Sequence, residues 1–213
     1  MTKKRSARRV AVPNSNTIIE FIIDESGSMG SVHLPTISGF NSFLNEQKTG
    51  GGTALLSLTK FEGGFLKTPY VDLDVNLVMP LTRETFVPGG GTNLCDAIGA
   101  RVRDLEQRLT TWASPPQVLV VVLTDGQDNQ SYSYSAAQIR DLIAAHEALG
   151  WTFVYLGSDA YALQAAAQMG FQPGNTKQFD ISKIHDTMET LARATTAYRA
   201  TAESTTATTT FFG

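Results

Sequence analysis

The stretch Ile18-Ile19-Glu20-Phe21-Ile22-Ile23-Asp24-Glu25-Ser26-Gly27-Ser28-Met29 joins an apolar run to a loop rich in oxygen-bearing side chains. The apolar run predicts a buried β-strand. The loop then places a carboxylate and two hydroxyls at the carboxyl end of that strand. Oxygen ligands of this kind suit a hard cation such as Mg²⁺, which keeps several waters and takes few protein carboxylates. The stretch therefore predicts a metal-binding loop at the end of an interior strand.

Strands and helices are predicted to alternate along the rest of the chain. Hydrophobic periodicity predicts strands at 17–23, 54–61, 70–78, 117–124 and 151–156, a short strand at Phe179 and Ile181, and helices at 34–47, 93–109, 136–149, 160–169 and 184–199. The Val/Leu run at 117–124 is typical of a parallel strand buried on both faces. The run at 70–78, ended by Pro80, alternates apolar with polar residues, which favours an edge strand. This order predicts a doubly wound α/β fold, with a mostly parallel sheet, one antiparallel edge strand and helices on both faces.

Composition indicates one globular domain with a short extension at each end. The chain has 213 residues, of which 42% are hydrophobic and 17% are charged. We predict a basic N-terminal arm at 1–16, the domain at 17–200 and a Thr-rich C-terminal tail at 201–213, whose composition predicts no stable structure. The net charge of −3 excludes a nucleic-acid-binding polycation as a description of the whole chain. The arm alone is either solvated or a contact for an acidic or phosphate surface.

The single cysteine, Cys95, excludes an internal disulfide. No apolar run approaches the length of a membrane-spanning helix, and the basic start lacks the apolar segment of a secretory signal. We therefore expect a cytoplasmic protein, or one within a particle assembled inside the cell.

Oxygen-bearing side chains in three separate loops are the candidate metal ligands. Each has a commoner use when taken alone, because Ser and Thr frequently cap helices or form turns and Asp-Gly is an ordinary turn. In a parallel sheet, however, loops at the carboxyl ends of the strands meet at one edge, where ligands bind. The predicted metal ligands are Asp24, Ser26, Ser28, Thr92 and Asp125.

These motifs resemble a known metal site. Asp24-x-Ser26-x-Ser28, Thr92 after Gly89-Gly90-Gly91, and Thr124-Asp125-Gly126 are similar to the metal-ion-dependent adhesion site of von Willebrand factor type A domains. The resemblance covers about residues 17–200 and is to the small stand-alone domains of bacterial and phage genomes. It implies that the hydroxyls of Ser26, Ser28 and Thr92 contact Mg²⁺ or Mn²⁺. The carboxylates of Asp24 and Asp125 would approach directly or through water, and one position would stay open for an acidic residue of a partner.

Three classes of function follow from these motifs. The first is a metal-dependent module that binds an Asp or Glu of a protein partner. The second is a structural or self-assembling component of a phage or bacterial particle, with a homo-oligomer held by the tails and Phe211-Phe212 docked on a neighbour. The third is a Mg²⁺-dependent hydrolase or phosphotransferase. We predict no enzyme, because the sequence has no P-loop, no G-x-S-x-G motif and no general base near the site beyond the ligand carboxylates.

The remaining candidate residues are predicted to have no direct role in metal binding. Glu25 is interpreted as a spectator within the metal loop, able at most to tune its charge. Asp128 and Asn129 are interpreted as solvated loop residues near the same edge. No spacing suggests a zinc site, so core or surface positions are expected for Cys95, His33, His146 and His185.

Overall fold

The structure is a computed structural model that describes residues 17–180, 183–201 and 206–213. The predicted basic arm at 1–16 and the strand residue Ile181 lie outside these ranges. No helix within them is long and apolar enough to cross a bilayer.

Six strands form one sheet, and the helices pack on its two faces. The strands are β1 Thr17–Asp24, β2 Ala54–Glu62, β3 Phe65–Asp74, β4 Gln117–Thr124, β5 Thr152–Gly157 and β6 Thr176–Gln178. The helices are α1 His33–Thr49, α2 Leu94–Leu109, α3 Ala136–Glu147, α4 Ala160–Gln168 and α5 Ile184–Ala200. The strand order is β3-β2-β1-β4-β5-β6, with β3 antiparallel to β2 and the other pairs parallel. This confirms the predicted fold class.

The central strands are apolar on both sides because each side faces its own layer of helices. On one side Ile19, Phe21 and Ile23 pack in a core with residues of α1 and α5. On the other side Ile18 and Ile22 pack in a second core with residues of α2, α3 and α4. Alternate residues of a strand point to opposite faces of the sheet. A strand covered by helices on both faces is therefore mostly apolar at every position.

Two strand predictions are wrong in their bounds. Strand β3 begins at Phe65, five residues before the predicted start, because Gly63 and Gly64 adopt positive φ (54° and 87°) and turn the chain back directly. It ends at Asp74, well before Pro80, because the Asp74 side chain accepts a hydrogen bond from the Asn76 backbone N–H and starts a short 3₁₀ turn. The last strand is Thr176–Gln178 and lies just before Phe179, not around it.

The prediction that the C-terminal tail lacks structure is wrong for residues 206–213. Phe211 is only 8% exposed and its ring lies 5.8 Å from that of Tyr198. Its backbone N–H donates to Asn175 Oδ1 at 2.9 Å, and the Thr208 N–H donates to Thr152 Oγ1 at 3.1 Å. The composition of the segment does not reveal this order, because the segment is held by one buried aromatic ring and a few hydrogen bonds to residues distant in the chain. Phe211 is thus packed within its own domain, which weakens the case that it docks on a neighbour.

A buried acidic side chain lies beneath α2 and is paired with two arginines. Glu20 in β1 is fully buried, and its oxygens accept from Arg101 Nε at 2.9 Å and Arg108 Nη2 at 2.8 Å. The pKa of Glu20 is raised, because burial outweighs the lowering effect of the two guanidinium groups. The two arginines thus supply the positive charge that an ionised carboxylate needs in the core.

Candidate metal centre

The two predicted carboxylates lie where the sheet changes its direction of growth. Strands β2 and β3 extend the sheet on one side of β1, whereas β4, β5 and β6 extend it on the other. Asp24 is the last residue of β1, and Asp125 follows Thr124, the last residue of β4. Ligands of open α/β sheets bind beyond the strand ends at such a switch point.

Asp24 forms the buried floor of the site. Its side chain is fully buried; Oδ1 accepts from the Ser26 backbone N–H at 2.7 Å and Oδ2 from the Thr124 hydroxyl at 2.6 Å. The pKa of Asp24 is raised to about 6, chiefly by burial and also by nearby Asp125, against the lowering effect of these hydrogen bonds. The carboxylate is therefore well positioned but lacks the positive charge that would favour its ionised form.

The two serines connect Asp24's loop to Asp125. Ser26 Oγ lies 3.1 Å from Ser28 Oγ, and Ser28 Oγ donates to Asp125 Oδ1 at 2.7 Å. Burial raises the pKa of Asp125 as well, and the charged group that adds to this effect is another carboxylate, Asp159. Four of the five predicted ligands thus form one hydrogen-bonded group.

Thr92 reaches the same place from the Gly89–Gly91 loop. A Cβ atom built on Gly126 would lie 3.2 Å from Thr92 Oγ1, 3.6 Å from Ser28 Oγ and 3.9 Å from Asp24 Oδ2. Oxygens of two loops therefore surround a point beside Gly126 of the third loop, and the glycine leaves that point free of a side chain. The structure brings together all five predicted residues.

The donor set fits a hard divalent cation. Two partly or fully buried carboxylates with raised pKa would both be stabilised in their ionised form by a positive charge between them. In the described part of the chain no three His, Cys, Asp or Glu side chains come together as a metal-binding group. The other donors would be hydroxyls, and hydroxyl and carboxylate oxygens suit Mg²⁺ or Mn²⁺ better than zinc. Asp24, Ser26, Ser28, Thr92 and Asp125 would hold the ion.

Asn129 and Asp128 hold the Thr92 loop in place. The interpretation of both as merely solvated loop residues is therefore wrong. Asn129 Oδ1 accepts from the Thr92 N–H at 2.9 Å, while the Asn129 N–H donates to the Thr92 carbonyl at 2.9 Å. Asp128 Oδ2 accepts from the Cys95 N–H at 2.7 Å in the first turn of α2. These bonds tie the loop after β4 to the loop that carries Thr92. No sequence signal pairs residues so far apart in the chain.

A reciprocal contact strengthens this connection between the two loops. Asp96, in the first turn of α2, accepts backbone N–H groups of three consecutive loop residues at 2.8 to 3.0 Å, namely Tyr132, Ser133 and Tyr134. Asp128 therefore binds the helix and Asp96 binds the loop. Carboxylates that accept several backbone N–H groups fix the backbone around them.

Glu25 is a structural residue and not a spectator. It is 1% exposed, and Oε1 accepts from Lys60 Nζ at 2.8 Å and from the Val87 N–H at 2.7 Å. Its carbonyl accepts the Gly89 N–H at 2.8 Å. Glu25 thus attaches the start of the glycine-rich loop to the metal loop.

The cysteine and histidines take no part in the site. Burial and the carboxylate of Asp128 raise the pKa of Cys95 to about 12, as suits a core residue. His33 Nε2 lies 2.6 Å from the Phe86 carbonyl oxygen, His146 is buried with its ring 4.5 Å from that of Trp151, and His185 is on α5 beside Glu189. The three histidines are held by different partners in different parts of the fold.

The Asn129→Ala variant is expected to bind Mn²⁺ about ten- to a hundredfold more weakly than the wild type. It removes the acceptor that orients the Thr92 backbone, and outer groups of this kind typically contribute that much to metal affinity. Isothermal titration of both proteins with Mn²⁺ measures the change. Asn76→Ala, on the exposed 3₁₀ turn after β3, is the matched control. An unaltered Mn²⁺ affinity in a folded Asn129→Ala protein would contradict the positioning role.

Solved structures with the same fold include proteins of several sources. A von Willebrand factor type A protein from Catenulispora acidiphila aligns over 85% of this chain and 43% of its own, with a TM-score of 0.59 and 15% identity. Proximal thread matrix protein 1 from the mussel byssus aligns over 85% of this chain and 46% of its own, with a TM-score of 0.59 and 15% identity. The manganese-loaded TRAP protein of Plasmodium vivax aligns over 81% of this chain and 72% of its own, with a TM-score of 0.53 and 14% identity.

These likenesses establish the fold. This chain spans less than half the length of the first two proteins. No protein-family model and no curated protein sequence matches it.

Proposed function

We propose that this chain, which has the fold of von Willebrand factor type A domains, is a protein-binding module that recognises an acidic residue of its partner through a bound Mg²⁺ or Mn²⁺. The observation that carries the proposal is the convergence of Asp24, Ser28 and Thr92 oxygens beside Gly126. The Asp125 carboxylate joins them through its hydrogen bond from Ser28. Two structures of similar fold support the proposal. One is a byssus matrix protein, in line with a role in protein binding, and the other is described as manganese-loaded, in line with a divalent metal.

The five site residues differ in burial, so that some would hold the ion and others would leave it accessible to solvent. Asp24 is fully buried and would hold the ion from below, whereas Ser28 is exposed and Asp125 is half-buried at the rim. Three of the five donors are neutral hydroxyls, so two carboxylates are the negative charge that the chain itself supplies. Two carboxylates in direct contact would neutralise a divalent ion. With one of them held through water, the ion would keep positive charge that attracts a carboxylate from outside. The exposed rim lets such a carboxylate approach from solvent.

Binding without turnover is proposed because, among the described residues, no histidine or cysteine lies at the site to transfer a proton. General acid-base catalysis needs such a group within hydrogen-bond reach of the substrate. The three histidines, within the described residues, are engaged elsewhere. The alternative function is a structural component of a phage or bacterial particle that assembles through its terminal tails. Because Phe211 packs within its own domain, this alternative now depends on the N-terminal arm at 1–16. The proposed location, the cytoplasm or a particle assembled there, rests on the single cysteine.

Capture of partners by the immobilised full chain is expected in Mg²⁺ and lost in EDTA, because the partner's carboxylate would have no cation to bind. Proteins retained on the wild type in Mg²⁺ and released by EDTA are compared with those retained on Asp24→Ala. In parallel, p-nitrophenyl phosphate is expected to show no metal-dependent hydrolysis. Equal retention with and without EDTA would contradict the binding proposal, and hydrolysis lost in Asp24→Ala would show an enzyme.

A further inference from the structure

A large groove lies beside the candidate metal centre, between the β2–β3 hairpin and the segment 79–87. Its volume is about 820 Å³. We call it the 79–87 groove. Its apolar lining consists mainly of Leu58, Tyr70, Met79, Pro80, Leu81 and Val87. Such a volume is ample for several side chains of a bound peptide.

Two exposed apolar side chains line this groove. Met79 is 64% exposed and Val87 is 56% exposed. They are two of the ten large hydrophobic residues that the described part of the chain leaves exposed. Single exposed apolar residues are ordinary, but two of them in the wall of one apolar groove favour a surface that binds a partner.

The charges that line the groove cancel. Two lysines and two glutamates contribute to the lining, and the buried pair Lys60–Glu25 is closed at 2.8 Å. Lys67 Nζ also lies 3.4 Å from Glu25 Oε2. A neutral groove with apolar walls complements uncharged apolar side chains rather than a charged segment.

The groove and the metal centre share the same backbone. Glu25, in the groove lining, directly follows Asp24, and its Oε1 accepts the N–H of Val87 in the groove wall at 2.7 Å. The chain from Val87 then runs through the glycine loop to Thr92. An extended segment advances about 3.3 Å per residue. Because the groove lining includes the residue next to Asp24, neighbours of a partner residue on the metal would lie within reach of the groove.

We propose that the 79–87 groove receives apolar side chains of the partner segment that supplies the acidic residue. The recognised feature would be one Asp or Glu with apolar residues within about four positions. The inference rests on the proposed function and adds the chemistry of the partner to it. Exposed Met79 and Val87 are the side chains that the partner would cover.

Selection from a peptide library tests the proposal. Peptides with one fixed Glu and randomised flanks are displayed on phage, bound to the full chain in Mg²⁺ and eluted with EDTA. We expect the eluted peptides to be enriched in apolar residues within four positions of the Glu. A synthetic peptide from this set should bind Met79→Asp and Val87→Asp at least tenfold more weakly than the wild type, because each variant puts a charge into the apolar contact.

Leu149→Asp is the matched control, since Leu149 is 66% exposed at the end of α3, away from the groove. Its peptide affinity should equal that of the wild type, and all variants should keep the wild-type Mn²⁺ affinity, which shows that they fold. EDTA-eluted peptides without apolar enrichment, or equal affinity for the groove variants, would overturn this inference alone. If no peptide elutes with EDTA, the proposed function fails and this inference with it. A concentration-dependent dimer abolished by Val87→Asp would instead assign the groove to a second copy.

Discussion

Replacing Asp24 by alanine is expected to abolish measurable binding of Mg²⁺ and Mn²⁺, a loss of at least about a hundredfold in affinity. Asp24 is the carboxylate in the buried floor, and its oxygens lie beside both serines and the Thr92 hydroxyl. Without it, Asp125 would be the one charged donor among the five predicted ligands, and hydroxyls alone hold a divalent cation poorly. Isothermal titration of the purified chain with each metal measures the effect.

The fold should survive this substitution. Removing Asp24 leaves the Thr124 hydroxyl and the Ser26 N–H without their acceptor, which costs about 1–3 kcal/mol for each donor that finds no other acceptor. It also removes a carboxylate whose burial in the metal-free protein is unfavourable. Asp24→Asn, which keeps the shape and an acceptor oxygen, should lose metal affinity with a smaller stability change. Asp141→Ala, on the exposed face of α3, is the control and should bind metal like the wild type. Full metal affinity in Asp24→Ala would show that the five residues are not the ligands.

Replacing Arg101 by methionine should lower the free energy of unfolding by about 3 kcal/mol, the lower end of what breaking a buried ion pair costs. The variant leaves Glu20 fully buried with Arg108 as its remaining cation. Urea denaturation at neutral pH measures the loss. The difference in unfolding free energy between the wild type and the variant should shrink as the pH falls, because a protonated Glu20 no longer needs the positive charge of Arg101.

Two further variants separate the buried charge from simple loss of packing. Arg103→Met removes an exposed pair with Glu106, in which Arg103 is 57% exposed, and should cost less than about 1 kcal/mol. The double variant Glu20→Leu with Arg101→Met should recover part of the loss, because it removes the unpaired carboxylate as well. A deficit that persists unchanged in the double variant would show that packing, and not charge, causes the effect.

Local patterns were sufficient to predict most of the fold. Strand β4 was predictable because eight consecutive residues are buried on both faces and therefore read as one apolar run. The end of β3 was not, because it depends on a single side-chain contact between Asp74 and Asn76. The ordered segment at 206–213 was also missed, since its stability comes from Tyr198, Asn175 and Thr152, which are distant in sequence.

The sequence by itself determined the alternation of strands and helices, the parallel core and the identity of the five candidate ligands, because these depend on residue type and short-range spacing. Only the tertiary structure decided that Asp128, Asn129 and Asp96 tie two loops together. It also decided that Glu20 is paired with two arginines of α2 and that an apolar groove adjoins the candidate metal centre. Those features arise where side chains remote along the chain meet at the end of the sheet. The physical reason is that hydrogen bonds and charge pairs act over a few ångströms of space, whatever the number of residues between their partners.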